Sequence, residues 1–117
     1  MKNVSLTSDT FKDLDNFTWV ETPVSSSENL IKVSYAGLSA RDCQKAVSDF
    51  KDNDLSFGMD FSGCDSNGKK LMGLVAAGAL SSTVETDSAL VWPVPQQWNL
   101  EDAATVPLPY AHAYYCL

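Results

Sequence analysis

Few side chains in this chain are equipped for chemistry by type alone. His112 is the only histidine. An imidazole with an unperturbed pKa of about 6.5 is the natural general acid near neutral pH, and a packed histidine is the plainer alternative. The three cysteines, Cys43, Cys64 and Cys116, include no C-x-x-C pair, and their spacing fits no common zinc-ligand pattern. They read as reduced, mostly packed thiols, which suits a cytoplasmic protein. Ser39 stands three residues before Asp42, the spacing of a helix capping box.

The elements that must position these groups fit within one domain. The chain has 117 residues, 44% of them hydrophobic, enough to line one core. Eight basic against fifteen acidic residues give a net charge of −7. Nucleic-acid affinity rests on phosphate neutralisation by Lys and Arg, so this balance argues against nucleic acid and against an anionic membrane surface. No apolar run reaches the roughly 18 residues a transmembrane helix needs, and the first residues lack the apolar stretch of a signal peptide. Asn3-Val4-Ser5 and Asn16-Phe17-Thr18 match the glycosylation triplet and are read as chance occurrences.

Alternation predicts strands at 16–20 and 30–36, separated by a polar loop over 22–29. Apolar residues at three- to four-residue spacing predict a helix over 37–50, stopped by the polar run 51–54. Residues 59–63 and 69–75 read as a hairpin turning at Asn67-Gly68. Two further strands are expected over 79–84 and 87–94. Asn99 reads as a helix cap with Glu101 and Asp102 in the first turn. Pro107 and Pro109 should break up the next stretch, and 110–117 reads as a short helix. The sum is a mainly β fold, a small barrel or sandwich with one or two short helices. The last helix lacks a glycine cap or polar tail, which suggests a piece of a longer polypeptide.

Four stretches in order carry a resemblance: Val33-Ser34-Tyr35-Ala36-Gly37-Leu38-Ser39-Ala40-Arg41-Asp42; Gly58-Met59-Asp60-Phe61-Ser62-Gly63; Gly68-Lys69-Lys70-Leu71-Met72-Gly73-Leu74-Val75; and residues 92–107 leading into Ala113-Tyr114-Tyr115. They resemble the enoyl reductase domain of animal-type fatty acid synthase, of the medium-chain dehydrogenase/reductase superfamily. The resemblance implies a GroES-like, barrel-type catalytic subdomain over 1–105. Residues 106–117 would then begin the segment leading into an NADPH-binding Rossmann domain. The chain has no G-x-G-x-x-G stretch of its own.

The activity so implied is NADPH-dependent reduction of a trans-2-enoyl chain carried on the phosphopantetheine arm of an acyl carrier domain, within a homodimeric cytoplasmic synthase. Alternatives are a polyketide synthase enoyl reductase, a quinone oxidoreductase, or a non-catalytic module that binds a partner. Ser39 stands where the family usually has a cleft-facing Asn, and Ala40 replaces an aromatic. Arg41 and Asp42 match the family and are the other cleft candidates, with a salt-bridged corner as their structural alternative. Asp60 suits a buried supporting acid and Met59 core packing. His112 replaces a Thr on the helix that faces the nicotinamide, so His112 and Tyr114 are the cofactor-facing candidates. Zinc-using members carry Cys and His where this chain has Ser39 and Met59, so no zinc is expected. An exposed apolar patch around Tyr110, Tyr114, Tyr115 and Leu117 is expected where the Rossmann half would dock.

Overall fold

The computed structural model describes residues 2–8, 17–24, 26, 28–47 and 56–117. Expectations for residue 16, for the helix end over 48–50 and for the polar run 51–54 lie outside them. The chain folds into strands β1 (Lys2–Ser8), β2 (Phe17–Pro23), β3 (Leu30–Ala36), β4 (Asp60–Cys64), β5 (Lys70–Leu74), β6 (Thr83–Glu85) and β7 (Val91–Pro93), and helices α1 (Ala40–Val47), α2 (Leu100–Ala104) and α3 (Pro107–Cys116). This is the mainly β architecture with short helices that the sequence predicts.

β1 and β2 form an antiparallel pair, and the other five strands form an antiparallel sheet in the order β6-β3-β4-β5-β7. β4 is the central strand, and four of its five residues are buried. Successive side chains of a strand point to opposite faces. Phe61 therefore enters the core with Ile31, Ala79 and Val84, against which Val33, Leu71 and Val91 pack. Asp60 and Ser62 face the other way. The Ser62 hydroxyl donates to the Leu100 carbonyl at the start of α2, and Ala103 and Ala104 bury themselves on the same side. Small residues there let α2 approach β4 closely. The pairing of β3 with β4 carries a bulge between Val33 and Tyr35.

The hairpin between β4 and β5 turns as its sequence suggests. The Asp65 carboxylate accepts from the N–H groups of Asn67 and Lys69, both at 2.9 Å, and Gly68 takes φ +79°. Four elements differ from expectation. β1 was not anticipated as a strand. Segment 79–82 is no continuous strand and changes partners along its length: Ala79 and Leu80 donate to Gly58 and Phe57, whereas Ser82 donates to Val4. It stitches the two sheets together, and only Thr83–Glu85 joins the larger one. In 87–94 the Asp87 side chain caps a single 3-10 turn over Ser88–Leu90, leaving Val91–Pro93 as strand. Finally, α3 starts at Pro107 rather than after the prolines. Proline is tolerated in a helix's first turn, where its missing N–H has no intrahelical carbonyl to reach.

Candidate functional site

The candidate cleft residues meet where α1, β4 and α3 all begin. Ser39 precedes the first residue of α1 and caps it. Its Oγ accepts the Asp42 N–H at 3.4 Å, while its own N–H and hydroxyl both donate to Asp42 Oδ2 at 3.0 Å. This is the reciprocal capping arrangement. It engages the hydroxyl that the resemblance offers as a cleft donor. The other Asp42 oxygen, Oδ1, accepts the Gly58 N–H at 2.9 Å. Gly58 leads into β4 with φ +91°. A carboxylate buried to 5% exposure thus ties a helix to a strand approach and has its charge met by three donors.

Asp60 sits next to this knot, 4% exposed. Its Oδ1 lies so close to Gly37 that a Cβ on that residue would stand 2.1 Å from it. Burial pushes the Asp60 carboxyl above the ordinary aspartate range, and the neighbouring Asp42 charge adds to the effect. The N–H groups of Leu108, of Asp60 itself and of Gly37 pull the other way. The site is therefore a pair of buried acids supported largely by backbone donors. Lys45 anchors α1 from its other end. Its ammonium donates to the Ser56 carbonyl at 2.6 Å and lies 5.7 Å from the centre of the Phe57 ring.

Arg41 points outward. Among the described residues the one ion pair is Lys2–Glu21, so Arg41 closes no salt-bridged corner there. His112 and Tyr114 are exposed on α3, as are Tyr110, Tyr115 and Leu117. The apolar patch expected around these side chains is present. On the opposite face of the sheet from the core, the Tyr35 hydroxyl donates to Glu101 at 3.0 Å. That carboxylate raises the Tyr35 pKa above the ordinary phenol value.

The structure thus unites Ser39, Asp42 and Asp60, and holds His112 and Tyr114 exposed on α3. Sequence reading missed the backbone partners Gly37, Gly58 and Leu108. Only the glycine ahead of α1 and the Pro-x-Pro around Leu108 hinted at them. Two open grooves, of about 520 and 440 Å³, lie elsewhere, and none of these candidate residues lines either. Among the described residues, no three of His, Cys, Asp and Glu converge as metal ligands. The three cysteines are unpaired by disulfides, with Cys43 and Cys116 exposed rather than packed. The described strands pair only antiparallel.

No protein-family model matches the chain. Its structure is similar to that of the CurK enoyl reductase, with a TM-score of 0.85 and 25% identity over 100% of this chain and 42% of that one. It is similar to the JamJ enoyl reductase (TM-score 0.85, 20% identity, 98% and 42% covered). It is also similar to the quinone oxidoreductase from Coxiella burnetii (TM-score 0.79, 24% identity, 92% and 41% covered). The chain spans about two fifths of the length of these proteins. Its fold is the catalytic-domain fold of the medium-chain dehydrogenases/reductases.

Proposed function

We propose that this chain is the barrel-side part of an NADPH-dependent enoyl-thioester reductase of a fatty acid synthase. The match to the CurK enoyl reductase along the whole chain supports the reaction class, and the four ordered sequence stretches support the fatty acid synthase assignment. In this reading the nicotinamide, held by the remainder of the polypeptide, supplies the hydride. The acyl carrier domain delivers the enoyl chain, and the parent synthase is a homodimer. The residues described here form one wall of the cleft. They exclude water and set the orientation of α3, from which His112 and Tyr114 face the cofactor. Ser39 and Asp42 act through the shape of that wall, because their polar atoms bond to each other and to Gly58.

The experiment is turnover of a crotonyl thioester by the complete polypeptide that carries these residues, followed by loss of reduced-nicotinamide absorbance. Turnover of the thioester supports the reading, whereas reduction of quinones alone would shift it to the quinone oxidoreductases, and no oxidation of NADPH with either would leave a partner-binding module. A polyketide synthase enoyl reductase is the second reading, favoured by the likeness to CurK and JamJ. Sequence beyond residue 117 and the identity of the carrier domain it encodes distinguish the two synthases.

A further inference from the structure

Among the described asparagines, Asn67 is held differently from the rest. Asn3 Oδ1 accepts the Ser82 hydroxyl and the Thr83 N–H, both at 3.0 Å, and Asn99 Oδ1 accepts the Asp102 N–H at 2.7 Å. Asn29 is engaged as well. Asn67 stands exposed at the tip of the hairpin between β4 and β5. Among the described residues no hydrogen bond holds its side-chain amide. The residue that follows sets it further apart. Val4, Leu30 and Leu100 follow the other three, each with a branched side chain. Gly68 follows Asn67, and nothing lies within 4 Å of the place where a Cβ would stand. The Gly68 nitrogen is therefore open to close approach by the Asn67 side chain. One bond restrains it, its N–H donating to the Asp65 carbonyl at 3.1 Å. That bond lies in a solvent-exposed turn, where local opening costs little.

We propose that Asn67 is a site of spontaneous covalent modification, with water as the co-reactant. The Gly68 nitrogen, on losing its proton to solvent, attacks Asn67 Cγ. A C–N bond forms and the Cγ–Nδ2 bond breaks. The departing nitrogen takes a proton from water and leaves as ammonia. The succinimide so formed then adds water. Opening at Cγ yields aspartate, whereas opening at the peptide carbonyl yields isoaspartate, whose backbone runs through Cβ and Cγ. Nothing is oxidised or reduced, and one neutral amide becomes one carboxylate. Either product puts a second acid beside Asp65, whose carboxylate already accepts the Asn67 and Lys69 N–H groups at 2.9 Å. Isoaspartate also lengthens the backbone of the turn, so Asp65 cannot keep both bonds. The end of the hairpin, where Cys64 pairs with Lys70, then loosens. This chemistry does not depend on the reductase reading.

The test is incubation of the intact folded chain in neutral buffer, with its peptides followed by mass spectrometry and isoaspartate detected by enzymatic methylation. Conversion at Asn67 should outrun that at Asn3 and Asn99 by at least about tenfold, and isoaspartate should accompany aspartate. Asn67→Gln, which keeps the amide but would need a larger ring, should stay intact. Gly68→Ala should slow conversion by about tenfold, because its Cβ obstructs the attack. In the isoaspartyl form, hydrogen exchange at the Asp65 and Lys69 amides should be about fivefold faster, the size of one lost hydrogen bond. Exchange at Phe61, in the middle of the sheet, should change by less than about twofold. Conversion at Asn67 no faster than at Asn99 overturns the proposal. So does aspartate without isoaspartate, the mark of direct hydrolysis, and so does an unchanged rate in Gly68→Ala.

Discussion

Asp42 Oδ1 accepts the Gly58 N–H at 2.9 Å while Oδ2 holds Ser39, so one carboxylate joins the first turn of a helix to the backbone entering the central strand. This carboxylate is therefore a structural tie between α1 and the approach to β4.

Replacing Asp42 by Ala leaves the Gly58 and Ser39 N–H groups without their acceptor inside a buried corner, and should lower folding stability by about 2–4 kcal/mol. Asp42→Asn keeps one acceptor oxygen and should lose about half as much. Urea unfolding followed by tryptophan fluorescence measures both. A loss for Ala within about 0.5 kcal/mol, as at an ordinary surface position, would show the tie to be unimportant.

Asp60 gives stability a pH dependence of defined sign. Its folded-state pKa is raised, chiefly by burial, so the folded protein favours the protonated acid. The contribution of this group to stability is most favourable below the ordinary aspartate pKa. It declines as pH rises through the folded-state value, then stays level. Asp60→Asn lacks this titration, so the difference between variant and wild type should grow in favour of the variant across that window. Denaturation midpoints measured at intervals from pH about 3 to 7 test it. A wild type that gains on the variant with rising pH would contradict the sign.

Two glycines should respond very differently to alanine. At Gly63 the new Cβ would stand 2.0 Å from the Lys32 carbonyl oxygen, in backbone that cannot move without breaking the β3–β4 pairing. The expected loss is about 2 kcal/mol or more. At Gly68 nothing lies within 4 Å. There the cost is that of holding alanine at positive φ, about 1 kcal/mol. Equal losses at both positions would mean that Gly63 is not closely approached.

Tyr114 and Tyr115 are 85% and 91% exposed. Tyr114→Ser and Tyr115→Ser should leave the unfolding midpoint of this chain almost unchanged, within about 0.5 kcal/mol. In the reductase reading the same changes weaken the complete protein, because the patch is then covered. A large loss in the chain alone would show that these rings already pack within it.

What was legible in the sequence is what local physics decides. β3 was predicted with its observed ends, because apolar and polar residues alternate through Leu30–Ala36. The Ser39–Asp42 capping pair and the Asn99 cap, whose side chain accepts the Asp102 N–H at 2.7 Å, followed from spacing. α3 was misplaced because prolines were read as breakers when they occupy the first turn. Residues 79–84 were read as one strand because their pattern cannot reveal that 79–82 changes partners. The approach of Asp60 to Gly37 spans residues far apart in the chain, so no local pattern encodes it.

The ends of the five-stranded sheet bear on how the protein behaves in a crowded solution. β6 and β7 are three residues each, and β7 finishes on Pro93, which has no N–H to offer a newcomer. Neither end invites another molecule to extend the sheet. The seven residues of β2 pair with β1 along one side and, among the described residues, with nothing along the other, and Trp19 is 63% exposed there. Self-association on concentration or partial unfolding would begin at β2, and a lysine introduced at Trp19 is the change that would guard it.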